Sequence, residues 1–156
     1  MSPKMILLMR HAEKSGDPTD PDLSDQGVAR AQKLVAWVPQ TFGAPDFIFA
    51  SAISKHSARP YETVKPLAKA LNIPLDATFA DQDYGALASD LLTRHRHDGA
   101  SILVCWHHGN IPALAEDLGA PAGSYPDPWD RNVFDLVLRL DYGGSGLKLT
   151  QITEPF

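Results

Sequence analysis

The stretch Met5-Ile6-Leu7-Leu8-Met9-Arg10-His11-Ala12-Glu13-Lys14 joins an apolar run to an abrupt Arg-His pair. A short apolar run bounded by charge reads as a buried strand. Such strands deliver their last side chains to the mouth of an open α/β sheet, where ligands sit. Arg10 and His11 are thereby expected to face a crevice. The pair suits an anion: a guanidinium offers a bidentate fork to phosphate oxygens, and a neutral imidazole can attack phosphorus. A basic pair at any strand end has the same local signature, so the functional reading depends on what distant segments supply.

Downstream, the same unit repeats. Residues 15–22 are rich in Gly, Pro, Asp and Thr and read as a loop. Ser24 stands at a helix N-cap, with Val28, Ala31, Val35 and Val38 at helical spacing until Pro39. Residues 46–50 form a second buried strand, followed by a polar loop over 51–57. A helix then starts at Arg59 with Pro60 in its first turn and buries Val64, Leu67, Ala68 and Leu71. Pro66 lies within it and predicts a kink or an early end. Residues 72–80 read as a short extended segment, ending near Asp81 and Asp83. Leu87, Leu91 and Leu92 give a third helix, and Arg94-His95-Arg96-His97 suits its C-terminus. The third strong strand, 101–106, ends in His107-His108-Gly109-Asn110, and a helix starts near Ile111. Residues 120–130 read as a loop in which Trp129 is an anchor or a lid residue. Residues 132–141 and 147–152, separated by Gly143-Gly144-Ser145-Gly146, predict a closing hairpin.

Strands alternating with helices imply right-handed crossovers. The expected architecture is a three-layer α/β/α sandwich with a mostly parallel sheet, in one domain spanning 1–156. With 156 residues the chain has the size of a single domain. A net charge of -5 argues against nucleic acid and anionic membranes as partners, so an anionic ligand must be held by local cations. The single cysteine, Cys105, permits no internal disulfide and fits a reducing compartment. The first apolar run is too short for a signal peptide or a membrane span, so a soluble cytoplasmic protein is expected.

In this architecture the strand ends lie along one edge, which collects Arg10, His11, Arg59 and His108. Two arginines and two histidines suit a dianionic phosphoryl group, whose oxygens guanidinium donors neutralise without a metal.

The same residues carry a resemblance. Leu8-Met9-Arg10-His11-Ala12-Glu13 resembles the Arg-His-Gly signature of the histidine phosphatase superfamily, also called phosphoglycerate mutase-like, with Ala12 in place of glycine. Leu23-Ser24-Asp25-Gln26-Gly27 with Ala31 is similar to the family's next block. Arg59-Pro60-Tyr61-Glu62-Thr63 resembles the segment of its second arginine, and residues 104–110 resemble its late strand ending in His-Gly. The short length looks like the smaller phosphatases rather than the mutases.

The resemblance implies a phosphatase acting through a phosphohistidine on His11, without cofactor or metal. Arg10, Arg59 and His108 would hold the phosphoryl oxygens. A carboxylic acid would protonate the leaving oxygen and then activate water. Asp83 is assigned that role with Asp81 as its rival, ahead of Glu13 and Asp22. Either of the two aspartates could instead be a helix cap. The long loop before Arg59 leaves Lys55 as an alternative second cation. His107 is either a packed structural histidine or an extra phosphate or leaving-group contact. Cys105 and Trp106 read as strand core. Cys105 is not a tyrosine-phosphatase nucleophile, since Ile111 stands where that motif needs arginine.

Two other functions compete: a non-catalytic phospho-ligand or protein-binding module on the same fold, and a metal-dependent hydrolase using His107 and His108. Adjacent strand residues point to opposite faces, which makes joint ligation by those histidines awkward. The expected substrate is a phosphorylated small molecule or a phosphoprotein, with specificity in the loops 15–22, 51–57 and 120–130.

Overall fold

Even-numbered residues of the first strand pack to one side of a sheet and odd-numbered residues to the other, and both sides are covered. In a computed structural model, which describes residues 2–144 and 146–156, this strand is β1 (Met5–Arg10), buried throughout. It is followed by α1 (Asp25–Phe42), β2 (Phe47–Ala50), α2 (Arg59–Leu71), β3 (Leu75–Asp76), α3 (Tyr84–Thr93), β4 (Ser101–Trp106), α4 (Ile111–Asp117), β5 (Leu136–Asp141) and β6 (Lys148–Thr153). The sheet order is β3-β2-β4-β1-β5-β6. The first four strands in that order are parallel, and β5 and β6 run antiparallel to their neighbours. The three-layer sandwich with a mostly parallel sheet is therefore what forms.

Period-two alternation sets the layers. Met5, Leu7, Met9, Leu103 and Cys105 face Leu34 and Val38 of α1 and Val64 and Leu67 of α2. Ile6, Leu8, Ile102, Val104 and Trp106 face Leu87 and Leu91 of α3 and Leu114 of α4. The chain leaving β1 crosses on the first side toward β2, whereas the chain leaving β4 crosses on the second toward β5. The two central strands thus send their connections in opposite directions, and a crevice opens at their C-terminal ends.

Local departures from expectation have identifiable causes. α1 runs through Pro39 to Phe42, with the Gly43 N–H closing on the Pro39 carbonyl at 3.0 Å. Its buried stripe is Gly27, Ala31, Leu34 and Val38, so Val28, expected in the core, is 50% exposed. α2 also passes its proline, Pro66, and ends on Asn72 in the left-handed region (φ 55°). The basic segment after α3 is not the helix's last turn: Arg94 is extended, and a 3₁₀ turn over His95–His97 follows. His97 is buried against Phe47 and Phe49 with Nε2 3.1 Å from Asp90, while His95 is exposed. The hairpin pairs as predicted, but β5 begins at Leu136 and leaves residues 131–135 free to line the crevice. The glycine turn of the hairpin contains Ser145, which lies outside the described residues. Among the described residues, no helix is long and apolar enough to cross a membrane.

Candidate active site

His11 continues the β1 ladder for one step, its N–H bonded to the Trp106 carbonyl at 3.1 Å. The side chain is 2% exposed. Its Nδ1 lies 2.7 Å from the Ala12 carbonyl oxygen, which can only accept, so Nδ1 carries the proton and Nε2 keeps its lone pair. Burial pushes the pKa down to about 3, against the opposing bond to Ala12, and the charges of Arg10, His107 and Arg59 lower it further. An unprotonated Nε2 that feels two guanidinium charges has the chemistry that attack on an anionic phosphoryl group requires.

The loop that follows is held from three directions. Ala12 N–H donates to Thr63 Oγ1 at 2.9 Å, and Thr63 Oγ1 donates to the Arg59 carbonyl at 2.7 Å, tying the loop to the first turn of α2. Glu62, from the same turn, accepts from the Leu23 N–H at 2.9 Å. Glu13 is gripped by Arg30 of α1 through Nε at 2.9 Å and Nη2 at 3.0 Å, while Arg30 Nη1 reaches Glu154 at 3.0 Å. Glu13 is thereby committed to structure rather than proton transfer. Ser24 caps α1 by accepting from Gly27 N–H and also donates to the Glu13 carbonyl.

Gly27 packs so closely here that a methyl group on it would overlap the Glu13 carbonyl oxygen, a backbone atom with no freedom to swing away. Gly27→Ala is expected to lower stability by about 2–3 kcal/mol, and to reduce turnover because the displaced carbonyl lies two residues from His11. Urea denaturation and kcat measured on the same preparation check both.

The two arginines arrive from different elements. Arg10 Nη1 donates to the carbonyls of Arg131 at 2.6 Å and Val133 at 3.2 Å, and its guanidinium lies 3.9 Å from the Phe134 ring centroid. Trp129, buried, donates from Nε1 to the same Val133 carbonyl, which makes it an anchor for this wall rather than a lid. Arg59 Nη1 donates to the Asp20 carbonyl at 2.7 Å. In both arginines Nε is buried and, among the described residues, without a hydrogen-bond partner. Burial lowers the Arg10 pKa to about 10, with Arg59 adding to the effect, so two like charges are held near each other. Lys55 is exposed in its loop, so the second cation near His11 is Arg59.

The histidines after β4 separate. His107 meets His11 edge-on, with ring centroids 5.4 Å apart, whereas His108 lies further out with Arg10, Lys14 and Phe134. The structure therefore brings His107, not His108, against the expected nucleophile. Burial lowers the pKa of both, and a nearby Asp81 carboxylate opposes this in each. Asp81 and Asp83 part in the same way. Asp81 opens a 3₁₀ turn, its carbonyl accepting from Trp106 Nε1 at 3.2 Å and Asn110 Nδ2 at 3.4 Å, and its Oδ1 is buried with no partner among the described residues. Asp83 is exposed. Asp22 sits beside Glu62, and the charges of both act on Arg59. Cys105 is buried, its pKa pushed up by burial, and Trp106 is core, both as expected. Among the described residues, no three His, Cys, Asp or Glu side chains are grouped as a metal site requires.

Sequence reasoning missed the wall formed by Arg131, Val133 and Phe134. Its signal is topological: β5 runs antiparallel to β1, which puts the residues preceding Leu136 at the C-terminal end of β1.

The buried imidazole also has a stability signature. In the unfolded chain His11 titrates near 6.5 and in the fold near 3, so as pH falls the unfolded state takes up the proton first. Stability from the neutral ring is complete above about pH 6.5 and is lost progressively toward pH 3, amounting to about 2 kcal/mol at pH 5. His11→Gln should remove that part of the difference between urea denaturations at pH 7 and pH 5.

Comparison with known proteins identifies the family and the fold. The sequence model of the histidine phosphatase superfamily (branch 1) matches residues 6–93, from β1 to the end of α3. No curated protein matches the chain at a significant level. Among solved structures, the chain is similar to the protein histidine phosphatase SixA complexed with tungstate, at 15% identity and TM-score 0.69, covering 96% of both chains. A mycobacterial glucosyl-3-phosphoglycerate phosphatase matches at 13% identity and TM-score 0.66, over 97% of this chain and 98% of that one. The phosphoglycerate mutase of Plasmodium falciparum matches at 17% identity and TM-score 0.63, over 97% and 91%. At these identities the structures speak for the fold, while the sequence model covers more than half of the chain. With its Arg-His pair, its second arginine and its fold all in place, the chain belongs to the histidine phosphatase superfamily, branch 1.

Proposed function

We propose that this protein is a cytoplasmic, metal-independent phosphomonoesterase that works through a phosphohistidine on Nε2 of His11. It acts on a phosphorylated small molecule or phosphoprotein rather than on nucleic acid or a membrane. One observation carries the reading: the Nδ1–H of a buried, neutral His11 donates to the Ala12 carbonyl, leaving Nε2 as the attacking atom near two arginines whose Nε donors have no partner among the described residues.

In the first half-reaction Nε2 forms a bond to phosphorus as the P–O bond to the leaving group breaks. Phosphorylation makes the ring cationic, and the Nδ1–H bond to Ala12 strengthens against that charge. Arg10, Arg59 and His107 surround the phosphoryl oxygens, with the orphan Nε–H groups supplying donors. Asp81, beside His107, gives its proton to the leaving oxygen. In the second half-reaction Asp81 takes a proton from water as the water oxygen attacks phosphorus, releasing inorganic phosphate and restoring neutral His11. His108 lies toward the leaving group rather than on the phosphoryl oxygens.

The test is turnover of phenyl phosphate in excess EDTA at mildly acidic pH, together with alkaline denaturing quench and base digestion of radiolabelled protein. Full activity in EDTA with base-stable, acid-labile label on His11 is the expected result. Loss of activity in EDTA would point to a metal-dependent hydrolase. Tight phosphate binding with neither turnover nor label would point to a non-catalytic phospho-ligand module.

A further inference from the structure

Three charged side chains meet where the segment after β6 crosses α1. Arg30 holds Glu13 through Nε at 2.9 Å and Nη2 at 3.0 Å, and Glu154 through Nη1 at 3.0 Å. The Arg30 and Glu13 side chains are 11% exposed and that of Glu154 only 2%. The Glu154 N–H donates to the Asp135 carbonyl at 2.7 Å, one step past the Leu136–Thr153 pair of the β5–β6 ladder. Phe156 pins the same segment to α1, its ring 5.5 Å from the Arg30 guanidinium and edge-on to Trp37 at 5.9 Å. Glu154 is thus tied to both segments that aim the reacting side chains. Residues 131–135 fix the Arg10 guanidinium through the Arg131 and Val133 carbonyls and the Phe134 ring, and Ala12, next to Glu13, fixes the His11 imidazole through its carbonyl. Arg10 and His11 must meet on one phosphoryl group, so the spacing of these two segments sets their geometry.

We propose that Glu154 is a positioning residue for phosphoryl transfer, holding Arg30, and through Arg30 the Glu13 end of the His11 loop, in register with the wall that aims Arg10. The inference rests on the phosphatase reading above and adds to it a residue from beyond β6. Arg30 does not need a second carboxylate for neutrality, since Glu13 already pairs with it by two bonds. Nor does the charge of Glu154 favour the fold. Burial raises its pKa to about 7 against the bond and charge of Arg30, and the charges of Asp135 and Glu13 add to the rise. Among the described residues, these three are the charged groups that act on it. In the unfolded chain the carboxyl titrates near 4.5, so the ionised side chain subtracts from stability above about pH 7, and the penalty fades as pH falls toward 4.5. A buried carboxylate with this balance is retained for what it holds rather than for stability. Protonation turns its charge-assisted bond to Arg30 into a weaker neutral one, which loosens the loop.

Glu154→Gln keeps the shape of the side chain and imitates its protonated state at every pH. It is compared with the parent between pH 5.5 and pH 8.5 by phenyl phosphate turnover, phosphate calorimetry and urea denaturation. At pH 8.5 its kcat should be about tenfold below that of the parent, and at pH 5.5, where the parent's own carboxyl is protonated, the two should agree within about twofold. KM and the phosphate Kd should stay within about threefold throughout, because Arg10 and Arg59 keep their own carbonyl partners. The urea midpoint at pH 8.5 should equal or exceed the parent's. A readout independent of turnover comes from the ring nitrogens of His11 by NMR. His11 stays neutral over this range, so a step in its signals near pH 7 reports a neighbouring group; the parent should show one that Glu154→Gln lacks. A kcat deficit of equal size at every pH, no deficit at pH 8.5, a parallel loss of phosphate binding, a variant that is unfolded or less stable at pH 8.5, or a His11 step unchanged in the variant would each overturn the positioning role. Failure of the phosphatase reading looks different: the parent does not turn over phenyl phosphate, yet the His11 step and its absence in Glu154→Gln remain.

Discussion

His11→Ala lowers kcat/KM for phenyl phosphate at least about 10⁴-fold, because it removes the atom that bonds to phosphorus rather than one of several groups that stabilise charge. The remaining site still binds inorganic phosphate. Arg10 is fixed by the Arg131 and Val133 carbonyls and Arg59 by the Asp20 carbonyl, and none of these contacts passes through the imidazole. The backbone also survives, since the His11 N–H to Trp106 bond and the Ala12 to Thr63 bond do not involve the ring. The variant should therefore fold, bind phosphate within about tenfold of the parent, and fail in chemistry. Arg59→Ala should impair both, raising KM and lowering kcat together, because a guanidinium contacts phosphate in the ground state and more strongly in the transition state. A residual His11→Ala rate within tenfold of the parent would falsify the covalent mechanism. Single-turnover quench and phosphate calorimetry on the same variant separate loss of chemistry from loss of binding.

The fold was legible where burial is two-sided. β1, β2 and β4 are covered by helices on both faces and so read as unbroken apolar runs, which no helix of that length would need. Legibility fell where one residue served two purposes. Val28 has core spacing, but its neighbour Gly27 is the position that packs on the Glu13 backbone, which turns Val28 outward. Residues 132–135 continue the alternation of β5, yet Val133 and Phe134 serve the Arg10 wall instead of the sheet. In the site, Arg10, His11 and Arg59 were readable because each stands at the end or start of a strongly patterned element. The choice between His107 and His108 was not readable, because it depends on register. β4 pairs with β1 so that the ladder ends with Arg10 opposite Trp106, and the next residues along the two chains, His11 and His107, bring their rings together. No local composition distinguishes two consecutive histidines, whereas a one-residue shift exchanges their faces.

Asp81→Asn and Asp83→Asn decide the same question for the acid. Asp81 opens the turn under Trp106 and Asn110, has a buried oxygen without a partner among the described residues, and lies near enough to His107 and His108 to oppose the lowering of both pKa values. Asp83, two residues on, is exposed. Removing a general acid ordinarily costs about 10²–10⁴-fold in rate. For Asp81→Asn the loss should fall at that upper end with an alkyl phosphate, whose alkoxide cannot depart unprotonated. It should shrink to about tenfold or less for formation of the phosphoenzyme from 4-nitrophenyl phosphate, whose phenolate leaves unaided. Because the same carboxylate then activates water, the nitrophenyl ester should show a burst of product followed by slow turnover as phosphohistidine accumulates. Asn at this position preserves size, and the hydrogen bonds from Trp106 and Asn110 go to the backbone carbonyl, so the turn itself is retained. Asp83→Asn should leave both esters within twofold of the parent. The opposite pattern, with Asp83→Asn slow on the alkyl ester and Asp81→Asn unaffected, would return the acid to the exposed position and require the 3₁₀ turn to rotate when substrate binds.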